Sequence, residues 1–299
     1  MNDSEEQKNQ DFQDYYLRQK YIKKLGIVQI NEIVFYPQQN NEQKKEAQLM
    51  QQQIEINLQL ENTYEQNGYQ MKFHSRSDDD VRNKYIKKLQ NQKILKQNQT
   101  QKHQSLIIFD WDDTILCTKY LQYYDFVDIP IEILRQLSFL DNSASKLLKK
   151  ATTYGNTYII TNAIKGWVQY SSQLFLPKVF NVINENQITV ISARTEFEDV
   201  FPGDCLKWKV ETFKNLKKFY DEDLITNLIC LGDSNIEIDA LHILAKGFNQ
   251  SLIKTIKFKE NPNPEELARQ QELVNDKFDQ IYLTIKNLTI RLEKKNNIN

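Results

Sequence analysis

The chain has 299 residues, which is enough for one large domain or two domains of moderate size. Its 39 lysines and arginines nearly balance its 40 aspartates and glutamates, so a protein devoted to nucleic acids or membrane surfaces is disfavoured. No apolar run is long enough for a membrane span, and the first residues do not resemble a secretion signal. The three cysteines are too few and too far apart for a disulfide framework or a zinc site. We therefore expect a reduced, soluble, cytoplasmic protein.

The first 104 residues differ in composition from the rest of the chain. They hold 21 of the 30 glutamines, and only 32 of the 104 residues are apolar. Because such a segment buries little core, we predict a Gln/Asn-rich extension over residues 1–104 that is partly helical or flexible, or that depends on a partner for order. Within it, Ile27–Tyr36 is typical of one strand. Glu42–Glu61 fits a helix or, by its alternating apolar residues, a strand, and both interpretations stay open.

From residue 105 onward, short apolar runs alternate with polar stretches that are compatible with helices. Nearly continuous apolar strands separated by helices predict a parallel sheet covered on both faces. We therefore predict a doubly wound α/β domain over residues 105–260, with helices near 131–151 and 235–247. The predicted strands are Leu106–Phe109, Tyr158–Ile160, Ile188–Ile191, Leu228–Leu231 and Leu252–Phe258.

A long heptad-like pattern follows Pro262 and Pro264. Apolar residues recur there at alternating steps of four and three, which predicts an amphipathic helix within residues 261–299. Its stripe packs on its own domain or forms a seam against another chain, and the sequence does not choose between these. The positions are Leu267, Gln271, Val274, Phe278, Ile281, Ile285, Leu288 and Leu292.

Two carboxylates, Asp110 and Asp112, directly follow the first predicted strand. In doubly wound sheets, ligands bind beyond the carboxyl ends of the strands. Two close carboxylates repel each other unless a cation neutralises them or one stays protonated, so Mg²⁺ is a natural third party. One of the acids is then able to attack phosphorus while the other transfers protons. For this pair taken alone, acids that only cap the next helix are an equally good interpretation.

Further polar residues occur at the ends of later strands. Thr161 ends the second strand, where its hydroxyl is placed to hold a phosphate oxygen, and Lys209 lies in a helix-compatible stretch. The fourth strand ends in Gly232 and Asp233, with Glu237 four residues farther on. The glycine permits a tight turn, and Asp233 can complete the oxygen shell of a cation.

In this order the residues resemble the phosphatase branch of the haloacid dehalogenase superfamily, over about half of the chain. The first family motif corresponds to Asp110–Thr114, and the second, a threonine or serine that ends a strand, corresponds to Thr161. The third is a lysine, for which Lys209 is preferred and Lys207 is the alternative. The fourth corresponds to residues 232–237, although a glutamate stands where an aspartate is commoner.

The resemblance implies a role for each of these residues. Asp110 would be the nucleophile that forms an aspartyl-phosphate, and Asp112 would protonate the leaving oxygen and later take a proton from water. Thr161 and Lys209 would bind the oxygens of the transferring phosphoryl group. Mg²⁺ would be bound by Asp110, by the main-chain carbonyl of Asp112 and by Asp233.

Members of this superfamily usually carry a cap domain over the site. Only 46 residues separate Thr114 from Thr161, and residues 193–208 number 16, so we expect no large cap and an open site. In the family, an open site tends to accompany larger substrates, proteins among them. Three tryptophans lie near the motifs, where core packing is the commoner role and a substrate surface is the alternative: Trp111, Trp167 and Trp208.

Two function classes therefore stand at this stage. The first is an Mg²⁺-dependent phosphomonoester hydrolase that acts on a phosphorylated small molecule or protein. The second is a structural or binding subunit that keeps the fold and joins a partner protein through residues 1–104 or through the C-terminal helix. The fold alone does not separate these classes. A membrane partner is not expected, and the near-neutral charge also argues against nucleic acid.

Overall fold

The computed structural model describes residues 28–30, 33–35, 65–66, 68–74, 76, 81, 83–84, 102–126 and 128–295. The chain divides into two compact units, Met1–Gln52 and Gln53–Asn299. In the first unit, strands β1 (Val28–Ile30) and β2 (Ile33–Phe35) pair antiparallel. The single strand predicted over Ile27–Tyr36 is therefore two strands of a hairpin. The undecided segment Glu42–Glu61 lies outside the described residues.

An eight-stranded sheet forms the centre of the second unit. Its strands are β3 (Glu65–Gln66), β4 (Tyr69–His74), β5 (Ser105–Phe109), β6 (Asn156–Thr161), β7 (Thr189–Ser192), β8 (Asn227–Gly232), β9 (Leu252–Lys257) and β10 (Leu288–Lys294). They lie in the order β3-β4-β10-β9-β8-β5-β6-β7. The run from β9 to β7 is entirely parallel and contains the five predicted strands, which confirms the predicted parallel core.

Eight helices of the described ranges surround this sheet. They are α1 (Thr118–Leu121), α2 (Ile131–Tyr154), α3 (Trp167–Phe175), α4 (Pro177–Glu185), α5 (Ala193–Phe197), α6 (Cys205–Lys217), α7 (Asn235–Ala245) and α8 (Pro264–Leu283). The helices predicted near 131–151 and 235–247 correspond to α2 and α7. Across the ranges that the structure covers, no helix combines the length and apolarity needed to cross a membrane.

Two apolar clusters cover the two faces of the sheet. Because successive side chains of a strand point to opposite faces, β5 contributes to both clusters. Ile107 and Phe109 belong to the cluster that includes residues of α1–α4 and α8. Leu106 and Ile108 belong to the other, with residues of α5–α7. The domain is therefore α/β, with helices on both faces of a mostly parallel sheet.

The N-terminal limit of this domain differs from the prediction. Strand β4 pairs antiparallel with β10, and Met71 lies opposite Leu292 in that register. Tyr69 and Met71 are fully buried and join the apolar core. The boundary predicted at residues 104 and 105 is therefore wrong, because part of the Gln/Asn-rich segment completes the sheet.

The C-terminal prediction is correct only in its first half. Helix α8 begins at a capping box formed by Asn263 and Glu266 and ends at Leu283, after which the backbone of Thr284 is extended. Leu288 and Leu292 lie on β10 instead of on a helix. The helical part of the stripe is buried against its own domain, so the alternative of a seam against another chain is also wrong; its buried members are Leu267, Val274, Phe278 and Ile281.

Candidate active site

The ends of three neighbouring strands bring the predicted polar residues to one edge of the sheet. β5 pairs with β6 on one side and with β8 on the other, so Asp110, Thr161 and Asp233 come together at their carboxyl ends. The backbone N–H of Asp110 donates to the carbonyl of Leu231 at 2.9 Å, which continues the ladder past the end of β5. Asp110 is thus fixed by the sheet itself.

Lys209 is the lysine that reaches this edge. It projects from α6 and is 1% exposed, and its Nζ lies 2.5 Å from Asp110 Oδ1 and 3.0 Å from Glu237 Oε1. It also donates to the carbonyl of Ile160 at 2.7 Å. The alternative, Lys207, is 57% exposed and pairs with Asp204 near the start of the helix. The structure therefore places Lys209, and not Lys207, beside Asp110.

Glu237 has a partner that the sequence did not assign to it. It lies in the first turn of α7, where it binds Lys209 and accepts a hydrogen bond from Ser234 Oγ at 2.5 Å. A Cβ at Gly232 would lie 2.6 Å from Glu237 Cγ, so only glycine leaves room for this side chain. The sequence places Glu237 only in the fourth motif, without a partner. Its ion pair depends on a strand and a helix that are distant in sequence.

Three carboxylates, those of Asp110, Asp233 and Glu237, lie near the single ammonium of Lys209 at this edge. Burial raises the pKa of the Asp110 carboxyl well above its ordinary value, against the lowering effect of Lys209, and the charges of nearby acids raise it further. Burial, followed by the charge of Glu237, raises the pKa of Asp233 to about 7. Burial raises the pKa of Glu237, but the charge of Lys209 and the hydrogen bonds from Ser234 and Lys209 together outweigh burial and keep the pKa below its ordinary value. The same two carboxylates, Asp110 and Glu237, raise the pKa of Lys209 although burial alone would lower it.

Asp112 is held by neutral donors instead of a cation. Its Oδ1 accepts hydrogen bonds from Thr118 Oγ1 at 2.6 Å and from Trp167 Nε1 at 2.9 Å, and its Oδ2 accepts one from Thr161 Oγ1 at 3.0 Å. The loop that presents it turns sharply at Asp113, whose φ of 57° is left-handed. The helix-capping interpretation fits neither Asp110 nor Asp112, because the acid that accepts a backbone N–H of α1 is Asp113, whose Oδ1 accepts that of Lys119 at 3.1 Å.

The other two tryptophans near the motifs belong to the core. Trp111 is fully buried and donates to Ser171 Oγ at 3.1 Å, and Trp208 is nearly so and donates to the carbonyl of Phe201 at 2.7 Å. Gln271 of α8 donates to the carbonyl of Thr114 at 2.9 Å and so supports the Asp110–Thr114 loop. In the sequence Gln271 is the polar member of an otherwise apolar stripe, and this departure from the pattern is the one sign that its side chain has a polar partner.

The donor set of the predicted metal site is two carboxylates and one main-chain oxygen. No three acidic, histidine or cysteine side chains converge as a metal cluster within the described ranges. The predicted site uses only the side chains of Asp110 and Asp233 with the main-chain oxygen of Asp112. Within the same ranges the Asp233 carboxylate accepts no hydrogen bond, while Lys257 Nζ binds the main-chain carbonyl of Asp233 at 2.8 Å. Asp233 is half-buried, and a carboxylate that accepts no hydrogen bond is available as a cation ligand.

The comparisons with known proteins add nothing to this geometry. No protein-family model matches the chain, no curated protein matches it, and no solved structure matches it.

Proposed function

We propose that the protein is an Mg²⁺-dependent phosphomonoester hydrolase of the haloacid dehalogenase type, acting through an aspartyl-phosphate. The observation that carries the proposal is a division of environments between two neighbouring acids. Asp110 is buried against the Lys209 ammonium, whereas Asp112 is partly exposed and is held only by neutral donors. Two carboxylates in different environments are suited to two different tasks, attack and proton transfer.

Asp110 has the position that a nucleophile needs. Its Oδ1 is bound by Lys209, which leaves Oδ2 for attack on phosphorus. Because burial raises its pKa, further positive charge beside it would favour the ionised form that attacks. Mg²⁺, when bound, supplies that charge and also neutralises charge on the phosphoryl oxygens. Asp110, Asp233 and the main-chain oxygen of Asp112 are the residues that would hold it.

The remaining residues would act on the phosphoryl group and the leaving group. Lys209 lies within reach of both Asp110 and the end of β6, where Thr161 stands, so both can donate to phosphoryl oxygens. Asp112 would donate a proton to the leaving oxygen and later accept one from water. The strand order 9-8-5-6-7, in which Asp110 directly follows the central strand β5, supports this assignment of roles.

The segments around the site leave room for a large phosphate ester. The 46 residues between Thr114 and Thr161 form α1 and α2, and α2 packs onto the sheet. Residues 193–208 contain only the five-residue α5 and the start of α6. Neither segment builds a separate cap over the site, so phosphate esters on proteins and on small molecules both belong in the substrate panel.

The experiment is a phosphatase assay over a panel of phosphate esters with and without Mg²⁺. We expect turnover that needs the metal and that falls to background in Asp110→Asn, because the amide has nearly the same shape but is a poor nucleophile. The matched control is Asp113→Asn, which makes the same exchange three residues along and leaves the Lys209 pair intact. A protein that hydrolyses no ester, or an Asp110→Asn variant as active as the control, contradicts the proposal. The first of these results favours a structural subunit.

A further inference from the structure

Three elements converge on the Asp112 carboxylate. Thr118 comes from the start of α1, Thr161 from the end of β6, and Trp167 from the first residue of α3. Two of the three hydrogen bonds go to Oδ1, at 2.6 Å from Thr118 and 2.9 Å from Trp167. The third goes to Oδ2, at 3.0 Å from Thr161. The two oxygens of this acid are therefore not equivalent.

The first turn of α3, which carries Trp167, is linked to the loop that carries Asp112. Trp111 donates to Ser171 Oγ at 3.1 Å, and Ser171 in turn donates to the carbonyl of Trp167 at 2.7 Å. Gly166, with a left-handed φ of 93°, directs the chain into α3 at this point. These contacts fix the backbone position from which the Trp167 indole N–H reaches Asp112 at 2.9 Å.

We infer that Trp167 and Thr118 are positioning residues that fix Oδ1 of Asp112 and leave Oδ2 as the oxygen that exchanges the proton. An oxygen that already accepts two hydrogen bonds is a poor site for a proton, since the incoming proton would face two donors. Among the described residues Oδ2 has one donor, Thr161, and in the proposed function Thr161 turns that hydroxyl toward a phosphoryl oxygen. The inference rests on the proposed function and assigns the proton to one atom within it.

With this assignment the reaction has two steps, transfer of the phosphoryl group to Asp110 and its release to water. An oxygen of Asp110 bonds to phosphorus, the bond from phosphorus to the leaving oxygen breaks, and that oxygen keeps the electron pair and takes the proton from Asp112 Oδ2. Water then attacks phosphorus and gives a proton to the same Oδ2. The bond between phosphorus and Asp110 breaks, and inorganic phosphate leaves.

The dependence of the rate on the leaving group tests the role of Trp167. A nitrophenolate leaves without help from an acid, whereas an alkoxide needs the proton. Trp167→Phe keeps an aromatic ring and removes the N–H, so kcat/KM for an alkyl phosphate should fall by about 10-fold or more, and for p-nitrophenyl phosphate by less than about 3-fold. Thr118→Val removes the other donor at nearly constant shape and should give the same selective loss.

The control is Trp208→Phe, which removes an indole hydrogen bond to a carbonyl remote from Asp112 and should leave the ratio of the two rates unchanged. Equal losses on both esters in Trp167→Phe and Thr118→Val overturn the positioning role while the phosphatase proposal stands. If thermal unfolding shows that Trp167→Phe does not fold, Thr118→Val alone must show the selective loss, and equal losses there overturn the inference. A wild-type protein inactive on both esters overturns the proposed function itself, and the inference with it.

Discussion

The edge of the sheet around Lys209 and the flank around Lys254 bury the same kind of side chain in opposite electrostatic surroundings. Both lysines are essentially inaccessible to solvent. Lys209 binds two carboxylates, those of Asp110 and Glu237, and its pKa is raised. Lys254, on β9, has no acidic partner in the described ranges; it donates to the carbonyl of Tyr282 at 2.5 Å, and burial lowers its pKa well below the ordinary value.

Burial does not by itself decide the charge of a lysine. At both positions the loss of water disfavours the ammonium, and only the two carboxylates reverse that effect at Lys209. An ion pair that is costly to bury persists where its charges can act on a ligand. The Lys254 amine instead donates a hydrogen bond to a carbonyl at the C-terminal end of α8, because Tyr282 is among the last residues of that helix. We therefore expect the first region to govern activity and the second to govern only stability.

The largest effect is expected from Lys209→Met. Removing the ammonium leaves two buried carboxylates unpaired, which should lower the free energy of unfolding by about 3–5 kcal/mol and abolish turnover. Unfolding in urea and the phosphatase assay measure the two losses. The control, Lys207→Met, removes an exposed lysine from the same helix and should change stability by less than about 0.5 kcal/mol. Similar stability of the two variants would show that the buried pair contributes nothing.

The second prediction tests whether the sheet flank affects stability without affecting activity. Met71 of β4 is completely buried and belongs to the sheet flank formed by β9, β10 and β4. Met71→Ala should lower the free energy of unfolding by about 2–5 kcal/mol through the cavity it creates, with activity of the folded protein unchanged. Phe73→Ala, on the same strand but 36% exposed, should cost clearly less. Equal costs, or a selective loss of activity in Met71→Ala, would remove the distinction between the two regions.

The core and the cluster of polar residues were accessible to sequence reasoning because both follow local patterns. Five apolar runs gave the parallel strands, and the residues after them, Asp110, Thr161 and Asp233, necessarily meet at one edge. The ion pair between Lys209 and Glu237 was not accessible, since the spacing of an acid along a helix does not reveal which distant lysine it meets. The Trp167 contact with Asp112 was missed for the same reason.

The two errors in the domain limits have a different physical cause. Tyr69, Met71 and Phe73 alternate with polar residues, which is the pattern of a half-buried strand, but the glutamine-rich average over 104 residues concealed it. Beyond Leu283, the heptad spacing continued by coincidence through Leu288 into a segment rich in threonine and isoleucine. These β-branched residues favour a strand, and in the structure that preference and the pairing with β9 decide the outcome.

The smallest expected effect concerns Lys254 and its dependence on pH. Because burial lowers its pKa below the ordinary value of 10.5, the folded protein releases a proton that the unfolded chain keeps. Between those two values the unfolded state binds more protons, so the free energy of unfolding contributed by this residue rises as the pH rises. Lys254→Met removes this dependence. Relative to wild type, the variant should therefore be more stable at neutral pH than at about pH 9.5, and the difference should vanish only above the ordinary pKa of 10.5, where the unfolded lysine is also neutral.

Urea unfolding of wild type and Lys254→Met at both pH values measures that difference, and taking the difference cancels the titration of all other groups. Lys218→Met, an exposed lysine that binds only Asn215, is the control and should follow wild type at both pH values. Parallel curves for wild type and Lys254→Met would mean that Lys254 keeps its charge when buried. The contrast with Lys209 would then lie in their partners and not in their charge, and the carbonyl of Tyr282 would have to stabilise an ammonium that no carboxylate neutralises.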